Sequence, residues 1–430
     1  MNFATALMGR SRGGPAKVAV VSSAFMGSLS GSAVSNILTT GTITIPAMKR
    51  SGYSREYAAA VEACASTGGT LMPPVMGAVA FIMASFLGVS YGEVMMAALL
   101  PALLFYLALL LQVDNYAARK GLTGMPAKDI PRVRETLLSG WPYLLSLSVL
   151  IYMLLVMRLE SQAPYYATLM LLVISLVRRQ QRLRISQVLD FFYQLAHGVG
   201  SLVAVLAGIG LVVGGLSYTG VAGAFSRELL LYAGDSIPLM LAAGAITSFI
   251  LGMGMTVSAC YIFLSILLAP ALVGAGLNPL ASHLFILYWG MLSYITPPVA
   301  LAAITAAGVA GANSTLTSLH AVRLGAVLFV LPFLFVLNPS LILQGPLLSV
   351  IASAFTAMTA IWLVAAAMEG YLYRIGSVGV RMRCALLIPA ALMIYPEWIS
   401  DLLGFLALAL CYLIAVMRTT KCAGITKCST

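Results

Sequence analysis

Long apolar runs separated by short basic clusters set the pattern of this chain. The clusters fall at 10–17, 49–55, 119–134, 178–184, 374–383 and 418–427. A helix needs about 20 mostly apolar residues to cross a bilayer. Short cytoplasmic loops carry the excess of Lys and Arg, so every cluster is placed inside. The segment 16–48 starts and ends in a basic cluster and is too short for two full crossings around a polar middle. Its centre, from Gly27 to Asn36, is small and polar. That predicts a re-entrant hairpin entering and leaving on the same face. The segment 57–88 then crosses outward and 93–112 returns. Segments 141–157 and 164–177 form a hairpin, and 185–216 is a long outward helix. The stretch 239–272 is again apolar with a small-residue centre, but Asp235 precedes it and the uncharged 274–278 follows. Its flanks place it outside. Segment 284–308 crosses inward to His320 and Arg323, 325–337 goes out, 347–368 comes in, and 384–417 makes a final short hairpin. This assignment leaves all basic clusters, and both termini, in the cytoplasm.

Composition agrees. Hydrophobic residues make up 61% of the 430 and charged residues 9%, against about 25% charged in a soluble domain. Mean hydropathy is +0.99. An ordinary cytosolic enzyme and a disordered chain are excluded, and the fold class is an all-α polytopic membrane protein. The net charge of +11 would suggest nucleic acid in a soluble protein; here its distribution sets topology, and no nucleic-acid partner is expected. None of the six cysteines forms a CxxC or a Cys/His metal spacing, and Cys422 and Cys428 sit in a basic tail expected to be reduced. No nucleophile–base pair, phosphate loop or metal cluster stands out, so no enzyme and no cofactor are expected. No signal peptide is expected, because the first residues lead straight into Arg10 and Arg12.

The two hairpins share a plan. The first runs from a tip at Gly27 to Thr67-Gly68-Gly69-Thr70-Leu71-Met72-Pro73-Pro74, and the second from Gly252-Met253-Gly254-Met255-Thr256 to Ile295-Thr296-Pro297-Pro298. Gly27 and Gly252 lie 225 positions apart, and Pro73 and Pro297 lie 224 apart. With one hairpin inside and the other outside, the repeats are inverted, a plan used by secondary transporters. The expected division is a first repeat at 1–114 (hairpin 16–48, broken helix 57–88, helix 93–112) and a basic loop with a linking transmembrane hairpin at 115–184. A second repeat follows at 185–338 (arm 217–234, hairpin 239–272, broken helix 284–308), then a C-terminal membrane extension at 339–430.

Pro-Pro cannot continue a helical hydrogen-bond ladder. Unwound backbone in a membrane survives only where it lines a cavity or meets protein. The exposed carbonyls suit a hard cation such as Na⁺, and the helix N-termini at each break favour an anion. A lone Pro-Pro is commonly a packing kink, and a lone Gly/Ser run is commonly a close helix contact. Here both occur twice at matched spacing.

At these residues the sequence resembles the large membrane subunit of TRAP (tripartite ATP-independent periplasmic) transporters. The resemblance rests on Gly27 to Ser32, Ile45 to Tyr53, Met72-Pro73-Pro74, Gly252 to Met255 and Ile295 to Ala300. The region from Asn338 onward resembles the C-terminal extension of fused permeases that work with TAXI-type binding proteins. The resemblance implies Na⁺-driven uptake of an organic acid, often a carboxylate, by an elevator-like movement in a bacterial-type inner membrane. It implies a periplasmic solute-binding protein, the lipid bilayer and a small membrane subunit as partners. Carried over by position, it assigns the coupling Na⁺ to Ser30, Gly31 and Gly68 in the first half and to Gly252, Gly254 and Pro297 in the second. It assigns the substrate to Ser32, Asn36, Thr70, Thr256, Ser258 and Thr296. Only the short stub 1–15 precedes the first hairpin, whereas the family has further helices there, so an N-terminal truncation is expected. A dicarboxylate symporter or antiporter that needs no binding protein, and an inactive fragment or membrane scaffold, remain as other readings.

Glu62 reads either as a functional carboxylate in an apolar helix or as an interfacial Glu balanced by Arg55. His197 and His283 are candidate proton or substrate contacts, although a lone His in a bundle is more commonly a packing residue. Tyr218 and Tyr261 are further candidates.

Overall fold

The structure is a computed structural model and describes residues 1–177, 185–234, 236–395 and 397–427. The basic cluster at 178–184, Asp235 and Cys428 lie outside the described residues. The chain is an all-α polytopic membrane protein. Among the described residues, six helices are long and apolar enough to span a membrane.

In chain order the helices begin with α1 (Asn2–Met8), α2 (Gly14–Ser30), α3 (Ala33–Asn36), a π-helical turn (Ile37–Gly41), α4 (Thr42–Arg50), α5 (Arg55–Gly69), α6 (Ala78–Leu87) and α7 (Tyr91–Lys120). Next come α8 (Val133–Leu155), α9 (Ala163–Val177), α10 (Ile185–Tyr218), α11 (Val221–Ala233), α12 (Ile237–Gly252), α13 (Val257–Leu267), α14 (Ala269–Gly274) and α15 (Pro279–Leu292). The chain continues through α16 (Leu301–Ala310), α17 (Ser314–Leu324), α18 (Ala326–Leu337), α19 (Leu347–Glu369), α20 (Val380–Leu392) and α21 (Trp398–Lys427). A two-stranded antiparallel ribbon, β1 (Tyr371–Leu372) and β2 (Gly376–Ser377), turns the chain between α19 and α20.

The chain divides into two compact units. The first comprises Met1–Gly77, Met96–Pro131 and Met291–Thr430. Its centre is α5, which packs against α2, α16 and α17. Every residue of α5 from Tyr57 to Gly69 is buried, because Ala, Gly, Ser and Thr dominate it and let neighbouring backbones approach closely. Ser54 caps its N-terminus, its hydroxyl accepting from the Tyr57 N–H at 3.3 Å, the usual way to satisfy a first-turn amide. Before α5, Tyr53 is packed against the stacked rings of Tyr57 and Tyr116, and burial pushes its phenol above the usual range.

Ion pairs tie this unit together. Glu369, at the end of α19, is fully buried. It accepts from Arg323 of α17 at 3.0 Å, from Arg119 of α7 at 3.4 Å and from the Tyr57 hydroxyl at 3.3 Å. Arg383 of α20 caps the other groups at that end: its guanidinium donates to the carbonyls of Ala367 at 2.5 Å and Met368 at 2.7 Å. Asp114 of α7 receives Lys17 at 2.7 Å and is also paired with Arg12.

The second unit comprises Ala78–Met95 and Arg132–Gly290. Helices α8 and α9 pair as a hairpin, with the Ser146 hydroxyl donating to the Ala167 carbonyl at 3.1 Å. The region 217–234, expected as an arm, contains α11. Its Ser226 hydroxyl donates to the Leu267 carbonyl on α13 at 3.0 Å. Helices α12 and α13 pack together within this unit. No residue of α10 is buried, and its side chains are mostly apolar, as a helix surrounded by lipid permits.

Candidate functional site

The first hairpin is two helical arms joined at Gly31 and Ser32. Helix α2 ends with Gly31 at φ +62°, its N–H donating to the Gly27 carbonyl at 2.9 Å, a left-handed cap that glycine adopts without strain. Ser32 then caps α3, its hydroxyl accepting from the Ser35 N–H at 3.3 Å. Beyond Asn36 the arm passes through the π-helical turn before continuing as α4. Single π turns occur frequently at functional sites.

The first broken helix meets this tip. Helix α5 stops at Gly69 and α6 starts at Ala78, as the Pro73-Pro74 pair requires. In the gap the Met76 N–H donates to the Ser28 carbonyl at 3.1 Å. Gly31 and Gly77 face each other so closely that a β-carbon on Gly77 would lie 2.8 Å from the Gly31 Cα. Ser28 and Gly31 of the tip and Met76 and Gly77 of the break therefore belong to one contact. Thr70 is buried beside it, its hydroxyl donating to the Thr67 carbonyl at 2.8 Å and lying 3.4 Å from the Met291 sulfur. Gly68 is also buried, and its Cα packs under the Phe105 ring.

The second half repeats these parts. Helix α12 ends at Gly252, where a β-carbon would fall 2.5 Å from the Gly290 carbonyl oxygen of α15. Gly254, at φ +80°, turns the tip. Thr256 caps α13 by accepting from the Ala259 N–H at 3.3 Å, and Ser258 lies in the first turn beyond. The second break runs from α15 to α16, with the Ala300 N–H bonded to the Ser293 carbonyl at 3.1 Å. Both Pro-Pro bonds, 73–74 and 297–298, are cis. The Thr296 hydroxyl is buried and has no hydrogen-bond partner among the described residues. Gly252, Gly254, Thr256 and Ser258 fall in one compact unit, and Thr296 and Pro297 in the other.

The structure also assembles a cluster that sequence reasoning did not. Glu62 of α5 is 0% exposed. Its Oε1 accepts from the hydroxyls of Ser23 on α2 at 2.7 Å, Thr40 on the π-helical turn at 2.5 Å and Ser66 at 3.3 Å. Its Oε2 accepts from Thr44 on α4 at 2.5 Å. Of the two sequence readings of Glu62, the interfacial one balanced by Arg55 is overturned. Arg55 is exposed at the start of α5, and four hydroxyls surround the carboxylate. Asn36 belongs to the same cluster: its side-chain amide donates to the Ser23 carbonyl at 2.9 Å, and its Oδ1 lies 3.3 Å from the Thr40 hydroxyl. Thr40 and Thr44 lie four positions apart on the arm carrying the π turn, which is the only signal that could have linked them beforehand.

Of the singly weighed residues, Tyr261 and His283 bond each other, hydroxyl to Nδ1 at 2.7 Å, in a buried pair, as a packing histidine does. Tyr218 is 96% exposed, and His197 is exposed beside Tyr193.

These parts define a multi-pass helical membrane protein whose first helical hairpin meets a proline-broken helix at a small-residue contact. The sequence profile described as "Tripartite ATP-independent periplasmic transporter, DctM component" matches residues 1–350, and the chain belongs to this family of transporter permeases, which is not an enzyme class. Among curated relatives, the chain is 25% identical over 320 residues to the isethionate TRAP transporter permease protein DctMQ of Oleidesulfovibrio alaskensis, covering 73% of this chain and 49% of the relative. It is 36% identical over 126 residues to the C4-dicarboxylate TRAP transporter large permease protein DctM of Vibrio cholerae, covering 29% of this chain and 27% of the relative. The corresponding protein of Pseudomonas aeruginosa is 34% identical over 154 residues, 35% of each chain. The chain thus spans about half the length, or less, of these relatives.

Proposed function

We propose that this chain is a permease component of a Na⁺-coupled TRAP-type carrier that imports a small organic acid across an inner membrane. A periplasmic solute-binding protein delivers the substrate, and a small membrane subunit completes the assembly. Both termini lie in the cytoplasm. The names of the relatives, which include an isethionate and two C4-dicarboxylate permeases, favour a compact organic anion. The observation that carries the reading is the contact between the first hairpin tip and the first helix break, held by the Met76 to Ser28 bond and the Gly31–Gly77 approach. The same glycine, hydroxyl and Pro-Pro parts recur in the second half, as expected of inverted repeats at 1–114 and 185–338.

In this reading Na⁺ is held by backbone carbonyls and hydroxyls at Ser30, Gly31 and Gly68, and at Gly252, Gly254 and Pro297. The substrate anion meets Ser32, Thr70, Thr256, Ser258 and Thr296 and the partial positive charge of helix N-termini; Asn36, assigned to it by position, is instead buried with its amide on the Ser23 carbonyl. The test is uptake of a labelled C4-dicarboxylate and of labelled isethionate into liposomes holding the assembled carrier. Uptake is expected only with an inward Na⁺ gradient and the binding protein. Ser30→Ala is expected to shift the Na⁺ titration to higher concentration, and Thr256→Ala to raise the substrate concentration needed for uptake. An unchanged Na⁺ titration in the first and unchanged substrate dependence in the second remove the site assignment. Uptake that proceeds without the binding protein replaces the reading with a self-sufficient symporter or antiporter.

A further inference from the structure

The Glu62 cluster has a property that neither the hairpin tips nor the helix breaks share: it is a closed set of hydrogen-bonding groups around one carboxyl. Ser23, Asn36, Glu62 and Ser66 are all 0% exposed, and Thr40 and Thr44 are 2% exposed. Gly41 closes the cage from the arm side, where a β-carbon would lie 3.1 Å from the Glu62 Cγ.

Among the described residues no basic group offsets a negative charge there. Across the elements packed around it, Lys17 of α2 is committed to Asp114. Lys49 of α4 donates to the Ala310 carbonyl at 3.0 Å, and Arg50 is exposed at the end of that helix. On α5 itself Arg55 and Glu56 lie in the first turn, Tyr57 bonds Glu369, and the Cys64 thiol donates to the Ala321 carbonyl. On α17 Arg323 is paired with Glu369, and the His320 ring packs edge-on to Tyr57. On α7 the Tyr106 hydroxyl donates to the Ala65 carbonyl, Asp114 holds Lys17 and Arg12, and Arg119 holds Glu369. The segments α3, the π-helical turn and α16 carry no titratable side chain.

The short oxygen–oxygen distances also bear on what the cage can hold. A metal ion sits about 2 Å or more from each oxygen ligand and would spread oxygens that here lie 2.5–2.7 Å apart. Direct hydrogen bonds to a carboxylate have this length. The two threonines moreover have a second acceptor each. The Thr40 hydroxyl lies 2.8 Å from the Asn36 carbonyl, and the Thr44 hydroxyl 3.1 Å from the Thr40 carbonyl. A hydroxyl is both donor and acceptor and rotates to suit.

We propose that Glu62 is a proton-binding site, whose carboxyl is held in either protonation state by rotation of the Thr40 and Thr44 hydroxyls. With the proton on Oε2, Glu62 donates to the Thr44 oxygen, while the Thr44 and Thr40 hydrogens go to the backbone carbonyls. With the proton released to water, both hydrogens turn to the carboxylate, and Ser23 and Ser66 complete four donors for two oxygens. No backbone movement is needed for the exchange of bonds; movement of the hairpin away from α5 is what admits water. The second repeat argues that the acid is not a demand of the hairpin fold. Ser248 lies 225 positions after Ser23, but positions 286 and 287, matching Glu62, are Ile and Leu. The Ser248 hydroxyl is buried without a partner among the described residues.

The site stands on geometry; that its proton couples to transport rests on the permease reading above. The experiment therefore uses a readout that needs no substrate: infrared difference spectra of the full chain in lipid nanodiscs, recorded as pH is varied, in H₂O and D₂O. A protonated-carboxyl C=O band is expected that vanishes as pH rises and is missing from Glu62→Gln. Thr44→Val, which removes one partner without removing the acid, is expected to shift the frequency of that band, and it identifies the band should Glu62→Gln fail to fold. A pH-difference spectrum that is the same in the unmutated protein and Glu62→Gln, or a band that neither titrates nor moves in Thr44→Val, overturns the proposal. Failure of uptake in liposomes would count against the permease reading and leave this result standing.

Discussion

Gly27 of the first hairpin and Gly69 at the end of α5 pack backbone to backbone: a β-carbon on Gly27 would lie 2.5 Å from the Gly69 Cα and 2.9 Å from the Asn36 amide nitrogen. Such a contact leaves room for hydrogen only. It sets how closely the hairpin lies on the broken helix, and therefore whether Ser23, Thr40 and Thr44 can reach Glu62.

Gly27→Val should consequently destabilise the chain. Overpacking a tight contact costs about 1–3 kcal/mol, and the valine would meet backbone, which cannot rotate away. The expected outcome is a lower melting temperature for the detergent-purified protein. Gly198→Ala, on α10 with open space around the added methyl, is the matched control and should leave the melting temperature unchanged or raise it slightly, since Ala is the better helix former. Equal melting of both variants would refute the close approach.

Glu369→Gln should loosen the C-terminal part of the first unit. The carboxylate is buried against Arg119 and Arg323, whose side chains are 29% and 27% exposed. Removing one partner of a buried pair costs about 3–5 kcal/mol; partial solvation of the arginines lowers the expectation to about 2–3 kcal/mol. Chemical denaturation in detergent measures it. Arg383→Ala, which uncovers the Ala367 and Met368 carbonyls, should cost less, about 1–2 kcal/mol.

Thr296→Val separates stability from transport. A buried hydroxyl without a partner costs about 1–3 kcal/mol, so its replacement by the isosteric valine should leave stability unchanged or raise it. In the assembled carrier the same variant should weaken uptake, because the hydroxyl is assigned to the substrate. Improved melting with unaltered uptake would make Thr296 a packing residue.

The amino-acid sequence by itself determined where the two Pro-Pro helices break. Pro-Pro acts through the local backbone, so both breaks were legible from residue order alone; the first tip was expected at Gly27, but Gly27 lies inside α2 and the chain turns four residues later, at Gly31. The alternation of apolar runs and basic clusters likewise fixed the membrane class. The partners of Glu62 were not legible. Ser23, Thr40, Thr44 and Ser66 come from separate segments, and a hydroxyl that serves a carboxylate looks the same in sequence as one that bonds its own helix. Asn36 was assigned to a substrate by position, yet in the structure its amide is occupied by the Ser23 carbonyl. The pairing of Glu369 with Arg119 and Arg323 was equally hidden, since charges up to 250 positions apart are brought together only when the helices carrying them pack. Local backbone chemistry is written in adjacent residues; the cost of burying a charge is offset by whichever groups the fold delivers to it.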